Sequence, residues 1–249
     1  MSIKVYPKNV QHIGGFNDGE IIENKPFQLS DDGKLQPYSN LFYWAHASSE
    51  KGSTISEHPH KVFEILSFVI EGEIEHYDTK NKKWIPLKAG DVQIIRSGSG
   101  ISHSEKLGAG AVMFQIWFDP DISKTINQPA TYNDYPSDSF RVLPVNGTTT
   151  KFYTYKDSPL EMDTPGVNIF EARFKEGSHR VKSHTDEINS VYVIDGEIEV
   201  EKNKLIKDDF FVIENVNEIQ FIAGTAGRIF VIQSPAKVPY QTYVRRYLK

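Results

Sequence analysis

The strongest constraint on what this chain can fold into is that it repeats itself. Phe68-Val-Ile-Glu-Gly72-Glu-Ile-Glu75 and Tyr192-Val-Ile-Asp-Gly196-Glu-Ile-Glu199 align at one constant offset. Gly90-Asp91-Val92 then falls on Asp208-Asp209-Phe210, and Gly108 to Phe114 resembles Gly224 to Phe230. A single long repeat implies two copies of one fold, not a many-unit solenoid. The repeated segments read as strands. Val62 to Ile70 is apolar at nearly every position, the pattern of a strand buried on both faces. Turn signals such as Asn17-Asp18-Gly19, Asp31-Asp32-Gly33 and Ala89-Gly90-Asp91 punctuate the chain, and no amphipathic helical stretch of length occurs. An all-β protein of two domains is expected. Residues 119–140 carry three prolines and few aliphatics, which predicts a linker with its boundary near residue 135. The domains are then 1–135 and 136–249.

Within the first copy, Gly52 to Glu105 concentrates the chemistry. His58 and His60 are spaced i, i+2, as are His103 and Glu105. Side chains alternate faces on an extended chain, so each pair projects from one side of its strand. Brought together, the pairs place three imidazoles and a carboxylate around a point, a set that suits a divalent transition metal such as iron, nickel, copper or manganese. The residues themselves express no preference among metals. The bland alternatives are a solvated His-Pro-His turn and a surface pair at His103 and Glu105. Glu64 shares the parity of His58 and His60 and should face the same way if no bulge intervenes. His12 is expected to be solvated, and His76, beyond the Gly72 turn, to be an exposed cross-strand residue. Carrying the repeat offsets over, His58 falls on Lys182, His60 on His184, His103 on Phe221 and Glu105 on Ala223. One ligand type in four survives, so the second copy should have lost the site.

The residues carry a family resemblance. Gly-x5-His-x-His-x3-Glu-x7-Gly, from Gly52 to Gly72, resembles the first cupin motif, and Gly100-x2-His103 resembles the core of the second. The chain is similar to the pirin family of bicupins at His58-Pro59-His60, Phe63-Glu64, Glu71-Gly72-Glu73-Ile74-Glu75-His76, Gly90-Asp91-Val92-Gln93, Gly100 to Glu105 and Gln115-Ile116-Trp117. The resemblance implies two jelly-roll β-barrels packed face to face, with the metal inside the N-terminal one. It implies His58, His60, His103 and Glu105 as ligands; Glu64, whose equivalent is a metal ligand in many cupins, is expected foremost to support them from behind, with direct ligation as the alternative. It implies one divalent transition metal per chain, iron foremost, with nickel, copper, manganese, zinc and cobalt as alternatives. Pirin-like proteins include quercetin 2,3-dioxygenases, which open a flavonol with dioxygen and release carbon monoxide. By that resemblance the substrate is a small aromatic molecule such as a flavonol, and Glu105 is also the catalytic base. The family also includes iron-dependent redox sensors that bind transcription factors. The alternative is therefore a non-catalytic co-regulator with a protein partner. In pirins the terminal segments cross between domains, and the basic, aromatic tail from Tyr240 to Lys249 is expected to pack against the barrels.

Composition narrows the partners. With 28 Lys and Arg against 33 Asp and Glu, the net charge is -5, which argues against direct nucleic-acid binding. No apolar run approaches the ~20 residues of a membrane helix. There are no cysteines, which excludes disulfides and thiolate metal sites. Met1-Ser-Ile-Lys-Val-Tyr-Pro has no secretory apolar core, so a cytoplasmic monomer is expected.

Overall fold

The computed structural model describes residues 2–29, 34–155 and 157–247. The expected Asp31-Asp32-Gly33 turn and Lys249 of the tail lie outside the described residues. The strands in chain order are β1 (Ser2–Tyr6), β2 (His12–Phe16), β3 (Ile21–Phe27), β4 (Leu41–Ser49), β5 (Ser53–His60), β6 (Glu64–Glu71), β7 (Glu73–Asp78), β8 (Trp84–Lys88), β9 (Val92–Arg96), β10 (Ile101–Leu107), β11 (Ala111–Phe118) and β12 (Thr131–Tyr135). They continue as β13 (Arg141–Val145), β14 (Thr148–Phe152), β15 (Asn168–Phe174), β16 (Gly177–Lys182), β17 (Glu187–Asp195), β18 (Ile198–Val200), β19 (Asn203–Leu205), β20 (Phe210–Glu214), β21 (Glu218–Ala223) and β22 (Gly227–Pro235). Two short helices, α1 (Ile122–Thr125) and α2 (Tyr243–Tyr247), complete the all-β fold. Among the described residues no helix is long and apolar enough to cross a membrane.

Contacts divide the chain into two units. One comprises Gln11–Ser137, Met162–Pro165 and Pro239–Lys249; the other comprises Met1–Val10, Asp138–Glu161 and Gly166–Val238. Along the chain the change of unit after Ser137 falls close to residue 135, but the first ten residues and the last eleven each belong with the opposite half.

The metal-site half is built from a seven-stranded sheet, ordered β12-β9-β6-β11-β4-β3-β2, and a four-stranded sheet, ordered β5-β10-β7-β8. Ile55, Val69, Ile74, Leu87, Leu107 and Met113 fill one end of the space between them. These residues come from both sheets, which makes a closed apolar layer from alternating strands. The repeat's glycine is required at the β6–β7 turn. Gly72 has φ +70°, and a Cβ there would stand 3.0 Å from the Ala111 Cα. Its equivalent Gly196 has φ +89°, with a Cβ 2.8 Å from the Ala226 carbonyl oxygen. Only glycine meets both demands cheaply.

Residues 119–140 are not a linker. Asp121 caps α1 through its side chain, and Thr131 to Tyr135 pair with β9 as an edge strand. Pro129 and Pro136 bracket that strand instead of interrupting it, so the prolines that signalled a linker act as strand boundaries.

The other half repeats the plan with sheets β1-β20-β17-β22-β15-β14-β13 and β16-β21-β18-β19. Its apolar core includes Val181, Val191, Val200, Ile219, Phe221 and Val231, with a buried hydrogen-bonded group of Ser183, Asn189 and Gln233 beside it. Here β1 pairs with β20 from Ser2↔Glu214 to Tyr6↔Phe210, occupying the edge that β12 takes beside β9 in the first half. Lys8 fixes the exit of this strand, its backbone N–H donating to Asp209 at 3.1 Å and its Nζ to Asp208 at 2.6 Å.

The C-terminal segment is tied down by Asp119. The Tyr243 backbone N–H donates to the Asp119 carboxylate, and the Tyr240 hydroxyl donates to the Asp119 carbonyl at 2.7 Å. The other carboxylate oxygen, Oδ1, is buried without a hydrogen-bond partner. Burial pushes the Asp119 pKa up to about 6, although the Tyr243 N–H pulls it down. The folded state thus holds this proton more tightly than the unfolded chain. Stability contributed by Asp119 is present below the unfolded pKa, about 4, and lost as pH rises through about 6. Asp119→Asn cannot ionise. Thermal melts should therefore show the wild type losing ground relative to Asp119→Asn between pH 4 and pH 7. A difference that stays constant across that range would show the carboxyl does not titrate as described.

Candidate metal centre

One extra residue in β5 aims the histidines. Ile55 points into the core, so strict alternation would turn Glu57 and Pro59 inward and His58 and His60 outward. The register prevents this. Glu105 of β10 opposes Ile55 and His103 opposes His58, so Ser56 and Glu57 together face the single residue Ser104. This is a β-bulge, and it reverses the parity of the strand beyond it. His58 and His60 consequently face His103.

The three side chains offer ligand atoms that all lie within 4.8 Å of one another. The ring centroids are 4.8 Å apart for His58 and His60, 4.5 Å for His58 and His103, and 4.7 Å for His60 and His103. His58 Nε2 and His103 Nε2 face each other at 3.0 Å. Two nitrogens each about 2.1 Å from one cation, at right angles, lie about 3.0 Å apart. The Ser56 carbonyl sits 2.8 Å from His58 Nδ1, which assigns the proton to that nitrogen and leaves Nε2 as a lone pair. His60 Nε2 is buried without a hydrogen-bond partner. An orphaned imidazole nitrogen beside two others is what a shared metal would satisfy. Burial pushes His60 down to about 3, assisted by His103 and His58, and pushes His103 well below its ordinary value. Both are thereby held in the neutral, metal-binding form.

Glu105 lies two residues from His103, 1% exposed, and is not part of the close histidine group. Its Oε1 accepts from the Ser67 hydroxyl at 3.0 Å and its Oε2 from Gln115 Nε2 at 2.5 Å. Gln115 is oriented in turn by Trp117, whose Nε1 donates to its Oε1 at 3.2 Å. Burial raises the Glu105 pKa, while His76, Ser67, His58 and Gln115 lower it. Trp117 also stands with its ring centroid 4.9 Å from that of His60. Beyond it, Phe42, Phe63 and Tyr243 form an aromatic cluster, with Phe42 and Phe63 stacked at 4.3 Å. His103 and Glu105 are buried, whereas His58 and His60 are half-exposed, so solvent reaches the site along β5.

Three expectations are corrected. His76 is not exposed: it is buried opposite Glu105, with its Nε2 3.2 Å from the Asp78 carboxylate. The signal was available, because His76 and Asp78 share the parity of the core residue Ile74. Glu64 does not support the histidines. Val62 adopts φ +73° in the break between β5 and β6, so parity does not carry across. The Glu64 carboxylate accepts the backbone N–H groups of Asp163 at 2.7 Å and Thr164 at 2.8 Å, and the Thr164 hydroxyl. It clamps the Met162–Pro165 segment. His12 is buried, not solvated.

The bulge also changes the comparison of the two halves. Ile74 and Ile198 are repeat equivalents, and they oppose Leu107 and Ala223. Glu105 is therefore matched by Phe221 and His103 by Ile219, in place of Ala223 and Phe221. Without a bulge in β16, Ile219 opposes Val181, so Val181 stands where His58 does. The next backbone bond, from Ser183 to Asn217, puts Ser183 at the place of His60. Ser67 and Gln115, which oppose each other, are matched by the opposed pair Val191 and Val231. The second half has replaced every ligand position except that of His60 with an apolar side chain, and there it has Ser183, which accepts from the Asn189 amide at 2.8 Å.

Purified protein should hold at most one tightly bound transition metal per chain, and His103→Ala should abolish it while leaving the far-ultraviolet β signal unchanged. Deleting Glu57 takes the extra residue out of β5 but leaves His58 two places from Ile55 and opposite His103, on the same inner face, and should keep the metal. Glu64→Gln should keep the metal. Elemental analysis after desalting reads all four proteins; two ions per chain, or loss of the metal on Glu57 deletion, would contradict this account.

Residues 13–118 match the Pirin family model. A quercetin 2,3-dioxygenase of Escherichia coli K12 is 42% identical over 123 residues, which cover 47% of this chain and 52% of that protein. Pirin-1 of Arabidopsis thaliana is 25% identical over 189 residues, covering 72% of this chain and 62% of the relative. The matched stretch thus spans about half the length of the bacterial relative. The crystal structure of the bacterial pirin YhhW of Escherichia coli, in complex with nickel(II), superposes with TM-score 0.77 at 21% identity, over 95% of this chain and 100% of that one. An oxalate decarboxylase of Bacillus subtilis superposes with TM-score 0.65 at 10% identity, over 95% of this chain and 78% of that one. These likenesses show a shared cupin fold. This chain carries a pirin-family domain, residues 13–118, within a cupin architecture.

Proposed function

We propose that the protein is a metal-dependent dioxygenase that opens flavonols such as quercetin with dioxygen and releases carbon monoxide. The observation that carries this reading is a buried carboxylate, Glu105, held beside a histidine triad that is open to solvent along one strand. Similarity of the histidine-bearing half to proteins named quercetin 2,3-dioxygenase supports the choice of substrate.

His58, His60 and His103 would hold a divalent transition metal, with Glu105 as the fourth ligand. Such an ion supplies a Lewis-acid and redox centre at which the substrate's oxygen and dioxygen can meet. The chain's own residues do the rest. Glu105, its pKa raised by burial, accepts the proton of the flavonol hydroxyl more readily than an exposed carboxylate would. Ser67 and Gln115 hold the carboxylate in one orientation, and Trp117 holds Gln115. His76, lowered by burial and fixed by Asp78, stands opposite Glu105 on the neighbouring strand. Trp117 provides an aromatic wall against which a planar substrate can lie.

Glu105→Gln keeps an oxygen able to coordinate but loses the base. It should retain part of its metal and lose ~10²–10⁴-fold in flavonol oxidation. The wild type should consume dioxygen and release carbon monoxide in step with flavonol loss. If metal-loaded wild type consumes no more flavonol than free metal in buffer, the dioxygenase reading fails. Metal retention without turnover would then favour a metal-dependent partner-binding protein.

A further inference from the structure

The apolar plug of the second half closes off the place of the metal site, but it leaves a cavity elsewhere in that half. The cavity has a volume of about 270 Å³ and lies between β13–β15 and the strand β16. Both β13 and β16 are edge strands of their sheets, so the cavity occupies an open seam between sheet edges. Its apolar wall is aromatic. Phe152 lies 5.8 Å from Phe170 and 4.9 Å from Tyr155, centroid to centroid, and Leu143 and Val181 complete the floor.

Polar groups converge on the same space. The Thr148 hydroxyl donates to the Val145 carbonyl at 2.8 Å, and Thr150 lies 2.8 Å from Thr148. With the Thr148 proton committed, Thr150 donates to Thr148 and keeps its own lone pairs as an acceptor. Arg180 and Lys182 line the rim, both exposed, and neither forms an ion pair within 4.0 Å among the described residues. Glu218 opposes Lys182 in register, but its carboxylate accepts the Gln220 amide. Two cations beside an aromatic wall and a hydroxyl acceptor define a complementary ligand.

We propose that this cavity is a second small-molecule site, taking a single-ring hydroxylated aromatic carboxylate. The ring lies against Phe152 and Phe170, the phenol donates to Thr150, and the carboxylate meets Arg180 and Lys182. The volume, about 270 Å³, falls just below the usual range for ligand pockets, ~300–1,000 Å³, and suits one ring better than a polycyclic flavonol. The site stands independently of the dioxygenase reading, because it uses no residue of the metal centre.

The test is calorimetric titration of the metal-loaded full chain with 4-hydroxycinnamate and with its methyl ester. The acid should bind saturably at one site and the ester about tenfold more weakly, as expected for the loss of one charge-assisted contact. The exposed double substitution Arg180→Gln/Lys182→Gln should weaken the acid about tenfold and leave the ester unchanged. Leu143→Trp should block both. His103→Ala, which empties the metal centre, should leave acid binding intact. Absence of saturable binding, equal affinity for acid and ester, or loss of binding in His103→Ala would each overturn the proposal.

Discussion

A β-bulge in β5 decides which way His58 and His60 point. Ser56 and Glu57 sit opposite one residue of β10, and the resulting change of parity carries His58 and His60 from the outer face to the inner one. Everything the site can do follows from that reversal. On an unbulged β5 of the same sequence Glu57 would oppose His103, and His58 and His60 would point to the outer face. Bulges are common at edges and near functional sites for this reason, since one residue re-aims a side chain at little cost to the ladder. Here the bulge lies on β5, an edge strand of the four-stranded sheet, where distortion disturbs only one neighbour.

The two halves form a natural comparison of one scaffold with and without the site. Where the first has Ser67, Glu105 and Gln115, the second has Val191, Phe221 and Val231, all in one apolar core. A buried carboxylate costs several kcal/mol unless it is hydrogen-bonded or paired, whereas burial of a Val or Phe side chain contributes roughly 1.5–3 kcal/mol. At these three positions the second half is apolar, whereas the first half buries polar groups joined by hydrogen bonds from Trp117 through Gln115 to Glu105.

Much of this was legible in the residues. The internal repeat announced two copies of one β fold, and the spacing of His58, His60 and His103 identified three side chains that the structure brings together. What sequence could not convey was register. Counting by twos along β5 and on to Glu64 assumes an uninterrupted strand, and both the bulge and the positive φ of Val62 break that assumption. The same blindness misplaced the equivalents of the ligands in the second half by one or two residues. Prolines misled in the opposite sense, because Pro129 and Pro136 flank β12 and read as a linker. His76 shows the reverse failing: strict alternation from Ile74 held, and the inward position was there to be read.

The electrostatics of the site couple its parts. Burial raises Glu105 and lowers His60 and His103, so in isolation the environment favours a neutral acid beside neutral imidazoles. The three histidines can accept a cation only in that neutral state, and a cation among them would favour the charged form of Glu105 by direct attraction. Metal affinity and carboxylate ionisation are thus two expressions of one interaction, and each strengthens the other. Ser67 and Gln115 serve this coupling by donating to the carboxylate, which stabilises its ionised form without adding a competing charge. His76 and Asp78 extend it to β7, where a buried imidazole and a buried carboxylate hold each other beside Glu105. Hydrogen bonds of this kind favour an ionised Glu105 inside a largely apolar barrel, where a lone carboxylate would be held neutral.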